Sequence, residues 1–335
     1  MTYSNTNQNM TQSYRNKPQR LLSVLAISSL LTLSGCATLC LEQDNVALNV
    51  DSSLQQAIFA TAEDASFALA QAVSKDDVVQ LEKILGPDVD KLINLDKLDA
   101  EEVESFVAAW EKKHQLLPQG QDKVLVAIGE AEEPWTLPIP LVKTAEGWHF
   151  DAEEGKERIR IRHIGKNELA TMQAVLAYYD AQMEYAEEDR NGNHILEYAQ
   201  KFLSPAGTRD GLSWDTAANE KPSPLGILYA DRSPDGGYYG YYYRILTAQG
   251  SSAKGGAYSY LMGDNMRYGF ALIAWPKEYG KTGVMSFMVN HQGIVYEKNL
   301  GMEGDKLAAE MHVYNPDESW IATQEVSLSQ ETLQP

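Results

Sequence analysis

Apolar positions along this chain change their spacing several times, and each change marks an element. The first twenty residues are polar, carry Arg15, Lys17 and Arg20, and no acidic residue precedes Glu42. A thirteen-residue apolar run follows, Leu21 to Leu33, broken only by serines and a threonine. It is too short for a hydrocarbon core about 30 Å thick, which takes about 20 residues to cross. A basic start, a short apolar stretch and small residues after it read as a secretory leader. Residues 37–54 are polar without a strong period and read as a linker. From Phe59 the period becomes helical: Thr61 caps, with Asp64 three residues on, and Ala65, Leu69 and Val73 share a face. A second helix is predicted from Asp76 to Leu85, stopped by Gly86-Pro87, and a third from Ala100 to His114 on Val103, Phe106, Val107 and Trp110. The period then falls to two over Lys123–Ile128, Trp135–Val142 and Glu146–Phe150. Pro138 and Pro140 cannot donate to a ladder, so the middle strand belongs at an edge or a bulge.

After residue 156 the chain reads as helical again, with Asn167 as a cap. Leu169, Met172, Leu176, Tyr179 and Met183 alternate three and four apart, a narrow seam read as core packing. A short helix is predicted from Ile195 to Leu203, then a loop rich in Pro, Gly and Asp over 204–237. Five strands follow: Tyr238–Thr247, Gly256–Met262, Tyr268–Trp275, Val284–Asn290 and Gly293–Lys298. Tight turns at 262–265, 280–283 and 290–293 predict an antiparallel meander with one long helix packed on it. The sequence predicts an α+β protein: a leader over 1–35, a tether over 36–54, and domains over 55–155 and 160–325.

Charge narrows the partners. The formal charge is −19, and without the leader's three basic residues it is −22, 25 basic against 47 acidic. Such a field repels phosphate backbones and argues against nucleic acid, while divalent cations or basic surfaces remain compatible. Solubility alone explains it equally well. The two cysteines, Cys36 and Cys40, both lie before the first helix, so no disulfide staples the folded part. The residues Leu33-Ser34-Gly35-Cys36 resemble the lipobox of bacterial lipoproteins. That resemblance implies diacylglycerol on the Cys36 thiol, cleavage before it and acylation of the new amino terminus. Such anchoring exceeds the two signals that hold a protein stably on a bilayer. Ala37 leans the expected location toward the outer membrane. The expected partners are therefore the membrane, through the lipid, and an envelope protein.

Two constellations stand out as candidate sites. Asp189, Asn191, Asn193, Ile195 (by its carbonyl) and Glu197 fall at alternate positions, the spacing with which an EF-hand loop gathers oxygens around Ca²⁺. His194 in place of glycine at the sixth position and Gln200 at the twelfth depart from that pattern, and the other reading is a turn held by side-chain to backbone bonds. No other cofactor is expected. Tyr239, Tyr241, Tyr243 and Arg244 form the second candidate, a tyrosine-rich strand suited to protein or carbohydrate contacts, with core packing as the favoured reading. The six histidines make no zinc-ligand spacing, and no nucleophile elbow or phosphate-binding loop occurs. His291 sits in a turn, as a base or, more simply, facing solvent.

Larger blocks carry family resemblances. Ile164-Gly165-Lys-Asn167-Glu168, the Asp189-Arg-Asn-Gly-Asn turn, Gly240-Tyr-Tyr-Tyr243-Arg244, Gly255-Gly256-Ala-Tyr258, Tyr279-Gly-Lys-Thr-Gly283 and Asn290-His291-Gln-Gly293 resemble the DUF2950 family. Phe106-Val-Ala-Ala, Pro138-Ile-Pro140 and Gly147-Trp148 do so in the first domain. The family implies no activity. The first domain's order of elements is similar to the cystatin-like and NTF2-like folds, in which a curved sheet wraps a long helix. The second resembles the globular heads of type IV pilins and pseudopilins without their apolar half-helix. Together these imply a non-catalytic scaffold or assembly protein of the envelope. A small-ligand or glycan-binding module is the alternative, and a hydrolase the third reading.

Overall fold

The computed structural model describes residues 55–86, 100–130, 134–217, 219–225 and 237–323. The leader, the Cys36 motif and the tether expected over residues 1–54 lie outside the described residues. The fold is α+β, and the chain divides into two units, Met1–Ile159 and Arg160–Pro335, each with its own core.

In the first unit, α1 (Ala62–Ser74) starts where the Thr61 hydroxyl accepts the Asp64 N–H at 3.0 Å. Ala65 and Leu69 are buried on it as their spacing predicts. α2 (Val78–Leu85) starts at Asp77, whose carboxylate accepts the Gln80 N–H at 3.1 Å. It ends at Gly86, φ 103°, a left-handed backbone that glycine takes without a Cβ clash. α3 (Ala100–Lys112) buries Phe106 and Trp110 but stops short of His114, which opens β1 (His114–Pro118). That strand was not visible in the sequence, because its central residues are all half-buried and show no alternation. β1 pairs with β2 (Lys123–Ile128). The single strand predicted over 135–142 is broken at its prolines into β3 (Trp135–Thr136) and β4 (Leu141–Lys143), and β5 (Trp148–Phe150) completes the sheet. The order is β1-β2-β4-β5, antiparallel throughout, with β3 paired to β2. Three helices of 13, 8 and 13 residues pack with this sheet, rather than one long helix.

The long helix α4 (Ala152–Tyr185) begins at Asp151, whose carboxylate accepts the Glu154 N–H at 3.0 Å. Asn167 is therefore not a cap. It lies mid-helix and buried, donating from Nδ2 to the Thr282 carbonyl at 2.8 Å.

The face of α4 that packs in the second unit also differs from the prediction. Leu169, Leu176 and Met183 are 43%, 44% and 44% exposed, and Met172 and Tyr179 are half-buried. The buried face is Ile164, Asn167, Thr171, Ala174, Val175, Tyr178, Ala181, Gln182 and Tyr185. Asn167 and Gln182 are satisfied by backbone distant in sequence, and Thr171 meets the Tyr243 hydroxyl. Gln182 accepts the Ala199 N–H at 2.8 Å and donates to the Ala199 carbonyl at 2.7 Å. Beside them, half-buried Glu168 accepts the N–H groups of Val284 and Met285, both at 2.9 Å. A polar residue with such partners belongs to a core as well as a leucine does. The segment 195–203, predicted helical, is extended instead, bridging Met266 at Tyr198 and Ser213 at Leu203.

Four of the five predicted strands join one antiparallel sheet, while the predicted strand Gly256–Met262 is split between two separate short hairpins. β6 (Tyr241–Leu246) is followed by two short hairpins, β7 (Ala248–Gln249) with β8 (Tyr258–Ser259), and β9 (Leu261–Met262) with β10 (Asn265–Met266). Then come β11 (Ala271–Pro276), β12 (Met285–Asn290) and β13 (Tyr296–Asn299). α5 (Gly304–Glu310) packs on β11, and β14 (Ile321–Ala322) closes the sheet in the order β14-β13-β12-β11-β6. Every residue of β11 is buried, as befits its central place.

Candidate functional site

The acidic loop after α4 is drawn together by its own side chains. Asp189 accepts the N–H groups of Gly192 at 2.8 Å, Asn193 at 3.2 Å and His194 at 2.8 Å, which hold its carboxyl below the usual carboxylate range. Buried Glu197 accepts from the amides of Asn191 at 2.5 Å, Asn193 at 2.8 Å and Asn265 at 2.8 Å. Asn193 Oδ1 takes the Ile195 N–H at 2.8 Å. His194 carries the left-handed conformation, φ 66°, that a glycine would otherwise supply at this point of the loop. Asp189, Asn191, Asn193, Ile195 and Glu197 are thus neighbours, and the side-chain oxygens of Asp189, Asn191, Asn193 and Glu197 accept N–H donors from the loop and from Asn265. Among the described residues no three His, Cys, Asp or Glu side chains are grouped to hold a metal.

The tyrosine strand is mostly core. Tyr238 and Tyr241 exchange backbone bonds across Tyr239-Gly240, whose φ values of 49° and 72° make a two-residue primed turn. Tyr239 sits at its tip, 44% exposed, and meets Tyr238 edge-on with ring centroids 4.6 Å apart. Tyr241 is fully buried and donates to the Met285 carbonyl at 2.9 Å. Tyr243 is half-buried and donates to the Thr171 hydroxyl at 3.3 Å. Burial drives both phenols well above their ordinary range. Arg244 donates to the Ala309 carbonyl and lies over the Trp275 ring at 5.6 Å. Of the four candidates Tyr239 is the exposed one, Tyr243 and Arg244 are half-buried and Tyr241 is fully buried.

His291 faces the core edge rather than open solvent. Its ring meets Tyr260 at 5.5 Å and Phe270 at 6.4 Å, and burial pulls its pKa below the ordinary histidine value. The Tyr258 hydroxyl stands 3.5 Å from Nε2. Among the described residues no carboxylate is hydrogen-bonded to His291 to orient it as a base.

Two further features escaped the reading of the sequence. One is a cleft of about 440 Å³ between α1 and α3 in the first unit, lined by Phe67, Phe106, Val107 and Trp110 with Gln71 and Glu111 at its edge. Trp110 stacks on His114 at 4.1 Å with planes 3° apart, and Phe67 meets both rings edge-on. Helical spacing placed Phe106 and Trp110 on one face, but it could not bring Phe67 to them. The other is the exposure of Leu169, Leu176 and Met183 on α4, three members of a row read as core packing whose other two, Met172 and Tyr179, do pack against the core.

Comparison with known proteins bears on the whole of this region. Residues 56–323 match the model of a family described as a protein of unknown function, DUF2950. The chain belongs to the DUF2950 family. No curated protein and no solved structure matches it. For this DUF2950 chain the functional argument therefore rests on its own geometry.

Proposed function

We propose that this DUF2950 protein is a lipid-anchored lipoprotein of the bacterial envelope, held at the outer membrane through Cys36, that works as a non-catalytic interaction or assembly protein. One observation carries the reading. Leu169, Leu176 and Met183 are exposed at seven-residue steps along the outside of α4, and an apolar row on one side of a helix supports a contact surface. The lipobox-like Leu33-Ser34-Gly35-Cys36 supports the location, and the likeness of the second domain to pilin heads supports an assembly role.

A thiol-protection experiment tests it. Leu176→Cys and, as control, Lys306→Cys are introduced into a Cys40→Ser chain and treated with a maleimide in intact envelopes. Lys306 is 76% exposed on α5. The expected result is protection at position 176 and labelling at 306, with both labelled after denaturation. Equal labelling in the envelope would overturn the reading.

A second reading is favoured by the α1–α3 cleft, whose aromatic faces and few polar groups suit a small amphipathic ligand or a sugar ring. A ligand bound only by the folded protein raises its Tm, by an amount that grows with concentration over Kd. In a screen of sugars and small amphiphiles, a hit on the parent chain that Trp110→Ala abolishes is the expected signature of this reading.

A further inference from the structure

The cleft between α1 and α3 is apolar over most of its wall, and its charge is of one sign. Among the described residues Glu111 is the one charged side chain that lines it, and no lysine or arginine does. The last turns of both helices contribute to the wall, Gln71 and Ser74 from α1, Trp110 and Glu111 from α3. A helix C-terminus carries partial negative charge on its unpaired carbonyls. α1 has no basic residue in its last turn to offset that charge, and Lys75, which follows it, is exposed and outside the lining. On α3, Lys112 pairs with Glu130 at 2.8 Å instead of with Glu111.

The arrangement of the rings decides what apolar body fits. His114 covers Trp110 at 4.1 Å with planes 3° apart, and Phe106 stacks on it at 6.3 Å with planes 20° apart. These two residues lie four positions after and four before Trp110, on opposite sides of it along the helix axis, so both faces of the indole are taken. A sugar ring has no free indole face to lie on. Phe67 stands nearly at right angles to Trp110 and His114. Ring edges, Ala68, Ala70 and Val107 remain, a lining that matches a narrow aliphatic chain.

We propose that the α1–α3 cleft binds a small alkylammonium ligand, its unbranched chain against the apolar lining and its cationic nitrogen at Glu111. The proposal rests on the cleft reading above and names its ligand class. Glu111 is exposed, so water screens its charge, and the expected preference over a neutral ligand of equal length is about two- to fivefold. An alkyl carboxylate meets repulsion at the same place.

The test uses the full chain with hexylammonium, hexanol and hexanoate, matched in length and at one ionic strength. Kd is read from the shift of the Trp110 indole N–H signal in NMR spectra, assigned by its loss in Trp110→Phe. The expected result is tightest binding for hexylammonium, about two- to fivefold weaker for hexanol and weakest for hexanoate. Glu111→Gln is expected to bring hexylammonium to the level of hexanol and to leave hexanol unchanged. Glu303→Gln, at an exposed carboxylate of the second unit, is expected to change neither. Hexanol binding as tightly as hexylammonium in the parent would overturn the cation assignment and leave the cleft reading standing. A preference for hexylammonium that survives Glu111→Gln would place the cation elsewhere on the acidic surface and overturn the site. No response to any of the three would end the alkylammonium proposal; the cleft reading falls with it only if the screen of sugars and amphiphiles is also empty.

Discussion

Tyr241 illustrates how little of a residue's role its type reveals. Its hydroxyl reaches the Met285 carbonyl from a fully buried position, so Tyr241→Phe is expected to cost about 0.5–1.5 kcal/mol in denaturant unfolding. Gly283 lies against the same ring, where an added Cβ would sit 2.0 Å from the hydroxyl oxygen. Gly283→Ala is therefore expected to cost about 1–3 kcal/mol through overpacking, visible in the same experiment. His291 adds a pH dependence. Burial lowers its folded pKa below the 6.5 of an unfolded chain. Above pH 6.5 both states are neutral and this contribution to stability is fully present. As pH falls through 6.5 towards the lower folded value, the unfolded chain takes a proton that the folded one resists, and stability is lost. Tm measured from pH 7.5 down to 5.5 should fall less steeply in His291→Gln than in the parent; identical slopes would remove the histidine from the account. In the sequence the tyrosine run was legible as a feature, and its favoured reading as core holds for Tyr241. What could not be read was the primed turn at Tyr239-Gly240, which lifts one tyrosine out of the strand.

Elements were legible where local chemistry fixes them. Thr61 and Asp64 set the start of α1, Gly86 the end of α2, and apolar runs between tight turns located β11 and β12. Errors arose where a distant partner overrides the local pattern. α4 turns Asn167, Thr171 and Gln182 inward because the Thr282 carbonyl, the Tyr243 hydroxyl and the Ala199 backbone supply their hydrogen bonds, and periodicity carries no trace of those partners. The extended segment 195–203 was misread for the same reason, since Gln182 holds it by the Ala199 backbone. The start of α4 depends on a close approach: Gly155 faces fully buried Ile139, and an added Cβ would lie 2.7 Å from its Cγ1. Gly155→Val is expected to lower stability by about 1–3 kcal/mol, measured by urea unfolding, although valine is the better helix former. An unchanged midpoint would show that the helix start yields freely.

For the whole molecule, the acidic balance and the lipobox-like motif were legible in the sequence, and both concern where the chain resides. The face it presents was not, because burial is a property of the assembled unit. The proposed lipid makes its own demand: radiolabelled palmitate should mark the wild-type chain in growing bacteria and leave Cys36→Ala unmarked. The proposed anchoring would also concentrate the chain in two dimensions, where a modest contact gains occupancy by effective concentration. The most direct measurement of the central claim is photocrosslinking from position 176, with a benzophenone side chain in the membrane-anchored protein at its natural abundance. The account expects an adduct heavier than the chain alone, absent when the same group is placed at position 306. Irradiation that leaves the position-176 chain at its monomer mass would contradict it.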